Sequence, residues 1–148
     1  MAASELFCPI RRERVADLPE ERVRQRLIDK MTTGLGYPPQ SLAVEKALSQ
    51  FPHLVHQKSL PDCRVDIACF AKGIHPRHEI FPLLIVECKA VPLSAKVVEQ
   101  VVGYNYYCGA PFVAVANESS LRLGWRGEDG YEFVETLPSY QELVSSLS

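Results

Sequence analysis

The chain is expected to fold as one α/β domain, a central mixed β-sheet flanked by helices in the order αβββαβ. Three observations lead there. Residues 17–33 carry apolar side chains at helical spacing, residues 83–86 are continuously apolar, and a helical stretch separates that run from a second apolar strand at 112–116. Strand, helix and strand within so short a span require a parallel crossover.

The first helix opens near Asp17. Asp17 can cap, Pro19 suits the first turn, and Glu20 stands three residues after the cap as its capping-box partner. Val23, Leu27, Ile28 and Met31 form its apolar stripe, and Gly34, Gly36, Pro38 and Pro39 end it. Leu42–Leu48 alternates as a strand, and the turn-rich stretch after it leads to a second strand, Arg64–Ala71. A polar loop, 72–82, precedes a third strand, Leu83–Ala90, whose apolar half suggests burial on both faces. Ser94 caps a second helix that runs to Tyr107, with Gly109 as terminator. Phe112–Ala116 is the next strand, Leu121–Trp125 and Tyr131–Val134 a short antiparallel pair, and Ser139–Leu147 a last helix. Residues 1–16 show no period and are expected to form an irregular arm of this domain, which spans residues 1–148.

Composition narrows the function less than the fold. A hydrophobic fraction of 47% supports a real core, and a net charge of -2 does not by itself point to nucleic acid. Arg11, Arg12, Arg14, Arg22, Arg24, Arg26 and Lys30 crowd the N-terminal part, but interleaved acids favour a solvated helix of mixed charge over a phosphate-binding arm. Five cysteines, none in Cys-x-x-Cys spacing, are expected to be free thiols in a reducing compartment. No signal peptide or membrane span is evident, so a cytoplasmic location without membrane attachment is expected.

The chemistry lies where apolar strands carry charge. Asp66 interrupts Val65-Ile67-Ala68-Cys69-Phe70, and Glu87 and Lys89 follow Leu83–Val86. Buried carboxylates and ammonium groups are costly unless paired or metal-bound. A two-residue period puts Glu87 and Lys89 on one face, and hairpin neighbours would set Asp66 beside Glu87. Two carboxylates offer hard oxygen ligands to magnesium, which keeps several of its waters. A lysine beside them can stabilise charge developing on a phosphate.

This Asp followed by Glu-x-Lys at a strand end resembles the PD-(D/E)XK nuclease superfamily. The ordered set Pro19–Gln25, Leu35–Pro38, Ala43–Lys46, Arg64–Ile67, Val86–Ala90, Gln100 with Tyr104-Asn105, and Ala110-Pro111 is similar to the N-terminal nuclease domain of type I restriction enzyme R subunits. The resemblance spans residues 19–117 and implies a restriction-endonuclease-like core that hydrolyses DNA. It also implies Asp66 and Glu87 as metal ligands, Lys89 as a catalytic residue and Mg2+ as cofactor, with Mn2+ able to substitute. A first-helix glutamate completes such sites. Glu21 is favoured over Glu20, which is assigned to the capping box. Gln100 is a candidate for orienting the lysine or touching the DNA backbone, or else a solvated helix residue. Pro61-Asp62 precedes the strand and is a decoy.

No Gly-x-x-x-x-Gly-Lys-Ser/Thr is present, so no ATP site or motor is expected. His53-x-x-His56 and His75-x-x-His78 lack cysteine companions and are taken as solvated rather than zinc-binding. Homodimers or partner subunits are compatible with this reading. The alternative functions are a catalytically silent nuclease-fold module that binds DNA or assembles with partners, and an interaction domain in which the three charges form a buried ion-pair network.

Overall fold

A computed structural model describes residues 4–148. Its centre is a six-stranded mixed sheet in spatial order β3-β4-β5-β6-β7-β8, formed by Leu42–Ala47, Arg64–Lys72, Ile80–Cys88, Phe112–Ala116, Leu121–Gly127 and Gly130–Val134. Only β5 and β6 run parallel. They are the two strands joined by an α-helix, α2 (Ala95–Cys108), whereas the other neighbours are joined by turns, loops or, between β3 and β4, short 3-10 turns. The arrangement matches the mixed sheet with flanking helices expected of a restriction-endonuclease-like core.

Helices cover both faces. Val23, Leu27, Ile28 and Met31 of α1 (Pro19–Thr33) and Leu143 of α3 (Tyr140–Ser145) pack with Ile67, Leu84 and Val86. Val97, Val101 and Cys108 of α2 pack with Ile85, Val113 and Val115 on the other face. Strand β5 is therefore buried from Phe81 to Cys88, which accounts for its continuous apolar run.

Two features fix the crossover. Gly109 adopts φ 71° and closes α2 through its amide to the Asn105 carbonyl, a left-handed cap that glycine enters without steric cost. The buried Asn105 side chain accepts from the Ala110 amide and donates to the Ala110 carbonyl, both at 2.8 Å. It thereby pins the chain just before β6.

Three expectations are corrected. The N-terminal arm contains a hairpin, β1 (Glu5–Cys8) with β2 (Glu13–Ala16), while residues 1–3 of that arm lie outside the described ones. Leu18, not Asp17, is the N-cap of α1, and it makes no side-chain cap bond. The Asp17 carboxylate instead accepts two bonds from the Arg22 guanidinium, so Glu20 has no capping-box role. Lastly, β5 starts at Ile80 and ends at Cys88, leaving Lys89 just beyond it.

Among the described residues no helix is long and apolar enough to cross a membrane.

Candidate active site

The site is built where β4 and β5 part. Their pairing ends at Ile67↔Val86, so Asp66 and Glu87 are the next residues on each side. Beyond that point β4 pairs with β3 through Val65↔Lys46, while β5 pairs with β6 through Glu87↔Val115 and Cys88↔Ala116. A fork opens between the strands and exposes a backbone donor. The Asp66 carboxylate fills it, with Oδ2 accepting from the Cys88 amide at 2.7 Å. The other oxygen, Oδ1, accepts from Arg24 Nη2 at 3.0 Å.

Glu87 is 3% exposed. Its Oε2 lies 3.7 Å from Lys89 Nζ, in keeping with their shared side of the strand end. Oε1 is buried without a hydrogen-bond partner. Burial pushes the Glu87 carboxyl up to about 8, helped by the charges of Asp66 and, less, Glu20, and opposed by Lys89 and the Asp66 amide. Lys89 is half-buried, and its amide donates to the Ala116 carbonyl at 2.9 Å, which anchors it to β6.

Gln100 and Tyr104 border the site from α2. Gln100 Nε2 donates to the Tyr104 hydroxyl at 2.7 Å. Burial raises the Tyr104 pKa, the Gln100 bond lowers it, and the charges of Glu87 and Lys89 reach it with opposite signs. Cys63 stands close by. Burial raises its thiol pKa first, and the Glu87 charge adds to that.

Glu21, the expected third carboxylate, is occupied. It is 8% exposed, with Oε1 accepting from Arg24 at 2.9 Å and Oε2 from Arg11 at 2.7 Å and Gln25 at 3.1 Å. Glu20, in contrast, is near enough for its charge to raise both Glu87 and Cys88. The grounds for preferring Glu21 fall with the capping box.

The donor set suits a hard divalent ion at Glu87 and Asp66. Glu87 Oε1 has its lone pairs free, and each Asp66 oxygen, holding one bond, keeps a second acceptor direction. Among the described residues no three His, Cys, Asp or Glu side chains converge on one point. Any ion there would therefore retain several waters, as magnesium does.

Sequence reasoning missed Arg11 and Arg24. Arg24 is 5% exposed and bridges Glu21 and Asp66. The signal was present: Arg24, Leu27, Ile28 and Met31 follow the i, i+3, i+4, i+7 pattern, which puts an arginine on the apolar face of α1. Three of the histidines set aside as solvated, His53, His75 and His78, gather around the Phe81 ring.

Residues 19–138 match the family model described as Type I restriction enzyme R protein N terminus (HSDR_N). No curated protein and no solved structure was found to match the chain.

Proposed function

The chain belongs to the family of type I restriction enzyme R protein N-termini, and on that premise we propose that it is a metal-dependent nuclease hydrolysing phosphodiesters of DNA. The observation that carries this reading is a nearly inaccessible carboxylate, Glu87, with one unpartnered oxygen, set between Asp66 and a lysine at a strand fork. Buried acids of this kind are expensive to keep and recur where chemistry needs them.

Asp66 and Glu87 would hold Mg2+, or Mn2+ in its place, and the ion would polarise the scissile phosphate and acidify a bound water. Lys89 meets the negative charge that builds on the phosphate, and the bond from its backbone amide to Ala116 of β6 anchors the base of its side chain. Glu20, at the start of α1, adds a charge that reaches Glu87 without converging with it and Asp66 on one point, and would act on the ion through a bound water. Gln100 and Tyr104 offer an amide and a hydroxyl at the rim, suited to a DNA backbone oxygen.

Nicking of supercoiled plasmid tests the reading. Asp66→Ala and Glu87→Ala should each lower the Mg2+-dependent rate by about a hundredfold or more, the scale of removing one essential stabilising group. Variants that cut as fast as the parent would overturn it.

A silent DNA-binding module is the second reading. Its support is that both Asp66 oxygens already accept bonds within the protein, one of them from a guanidinium. A parent that binds duplex DNA equally with and without Mg2+, and never nicks it, would favour the module.

A further inference from the structure

We infer that Arg24 is the positioning residue of this site: its guanidinium holds the Asp66 carboxylate in the strand fork, and Glu21, Glu45 and Arg11 hold the guanidinium. The consequence for cleavage rests on the nuclease reading above, whereas the geometry does not.

The assembly has the form of a clamp. Arg24 Nη1 reaches Glu21 Oε1 at 2.9 Å, and Nη2 reaches Asp66 Oδ1 at 3.0 Å and Glu45 Oε1 at 3.5 Å. Behind it, Arg11 Nη2 grips the other Glu21 oxygen at 2.7 Å, and Nη1 lies 3.5 Å from Glu45 Oε2. Each of the two supporting glutamates is thus spanned by two arginines, and Arg24 cannot swing without breaking several contacts together. Only a planar fork of donors can face separate carboxylates in this way, and a lysine cannot.

Glu45 is an independent sign of constraint. It would face Asp66 across the β3–β4 ladder, between Val44↔Ile67 and Lys46↔Val65, yet it drops out of the pairing with φ 51°. A non-glycine residue adopts that conformation only when its surroundings enforce it, and such residues cluster at functional sites. Here its side chain is directed to both arginines.

Stability does not account for the clamp. A buried network of this size is commonly replaceable by apolar side chains without loss. What apolar residues cannot do is fix a carboxylate rotamer, and Asp66 is the member that ties the network to the fork. Arg11 comes from the β1–β2 turn, outside the residues shared with the family. In this chain, then, the N-terminal hairpin braces the site.

The Cys88 amide reports on Asp66 directly, because that carboxylate is its acceptor. The experiment measures amide hydrogen exchange by NMR in the full chain, for the parent, Arg24→Lys and Glu21→Gln, with plasmid nicking alongside. Arg24→Lys keeps the charge and should speed exchange at Cys88 by about tenfold or more relative to Leu84–Val86. Glu21→Gln leaves the arginine in place with a weaker brace. It should give a smaller change in the same direction, and it serves if the lysine variant does not fold. In an active parent, Arg24→Lys should lower kcat while KM for DNA holds, the mark of a displaced catalytic group rather than lost binding. Unchanged relative protection at Cys88 in a folded variant, or an unchanged kcat, would overturn the proposal. A parent that never cuts, with Cys88 exchange still accelerated in the variants, would sink the nuclease reading and leave the positioning role standing.

Discussion

Glu87 Oε2 lies 3.7 Å from Lys89 Nζ, yet the lysine does not offset the burial of its neighbour. Desolvation comes first and the Asp66 charge second in raising the carboxyl to about 8, and Lys89 opposes them incompletely. An acid whose folded pKa lies above its unfolded value binds its proton more tightly when folded. That contribution to stability is complete below the unfolded value of 4.5 and is lost as pH rises through about 8. The metal-free protein should therefore lose stability across this window, by a few kcal/mol if this group dominates. Glu87→Gln should flatten the dependence and be more stable than the parent at alkaline pH. Urea unfolding in chelator at several pH values measures this, and parallel curves for the two proteins would refute it.

Metal binding should then release a proton. At neutral pH the metal-free Glu87 carboxyl is largely protonated, and a cation must displace that proton to use the oxygen. Calorimetric titration with Mn2+ in buffers of different ionisation enthalpy should give a release approaching one proton near pH 7. The binding should also raise Tm by an amount that grows with the logarithm of the ratio of free ion to Kd. Both signals should vanish in Glu87→Gln. Tight binding with no proton release would place the ion elsewhere.

The crossover depends on Asn105 in a different way. Its amide satisfies the buried amide and carbonyl of Ala110, and its nitrogen also donates to the Tyr131 hydroxyl at 3.2 Å. Removing the side chain leaves these groups without partners, and a buried unsatisfied group costs about 1–3 kcal/mol. Asn105→Ala should lower stability by about 2–4 kcal/mol, summed over the groups it strands, and Asn105→Asp should restore the bond from the Ala110 amide but not those that need a donor. Equal midpoints for parent and Asn105→Ala in chemical denaturation would contradict the assignment.

How far these features could be read in advance varies with their origin. Strands β4, β5 and β6 and helix α2 announce themselves because burial on one or both faces imposes an apolar period. Asp66, Glu87 and Lys89 stood out as charges that break that period. The β1–β2 hairpin gave no such signal, since its strands are four residues each and mostly exposed. Arg24 was hidden by company: among so many N-terminal arginines its place on the apolar stripe was easily taken for solvated charge. Asp17 misled because a capping box and a salt bridge to Arg22 draw on the same residue, and only coordinates distinguish a carboxylate turned to a backbone amide from one turned to a guanidinium. That choice then carried the preference for Glu21 with it.

Glu20 and Glu21 should separate cleanly by experiment. Glu21 is buried and joined to Arg11 and Arg24, so Glu21→Gln leaves two guanidinium groups short of a counter-charge. Breaking a buried pair from one side costs about 3–5 kcal/mol, and a retained amide oxygen that still accepts a bond should bring the loss nearer 2–3 kcal/mol. Glu20 is half-buried, and its charge acts on Glu87 and Cys88. Glu20→Gln should leave the unfolding free energy measured in urea within about 0.5 kcal/mol of the parent, as surface-like substitutions do. Its effect should appear in Mn2+ titration, with affinity weaker by about tenfold if the carboxylate helps to hold the ion, one such loss equalling roughly 1.4 kcal/mol. Were Glu21→Gln to keep full stability and lose the ion, while Glu20→Gln bound it normally, the third carboxylate would be Glu21 and its arginine partners would have to release it on binding.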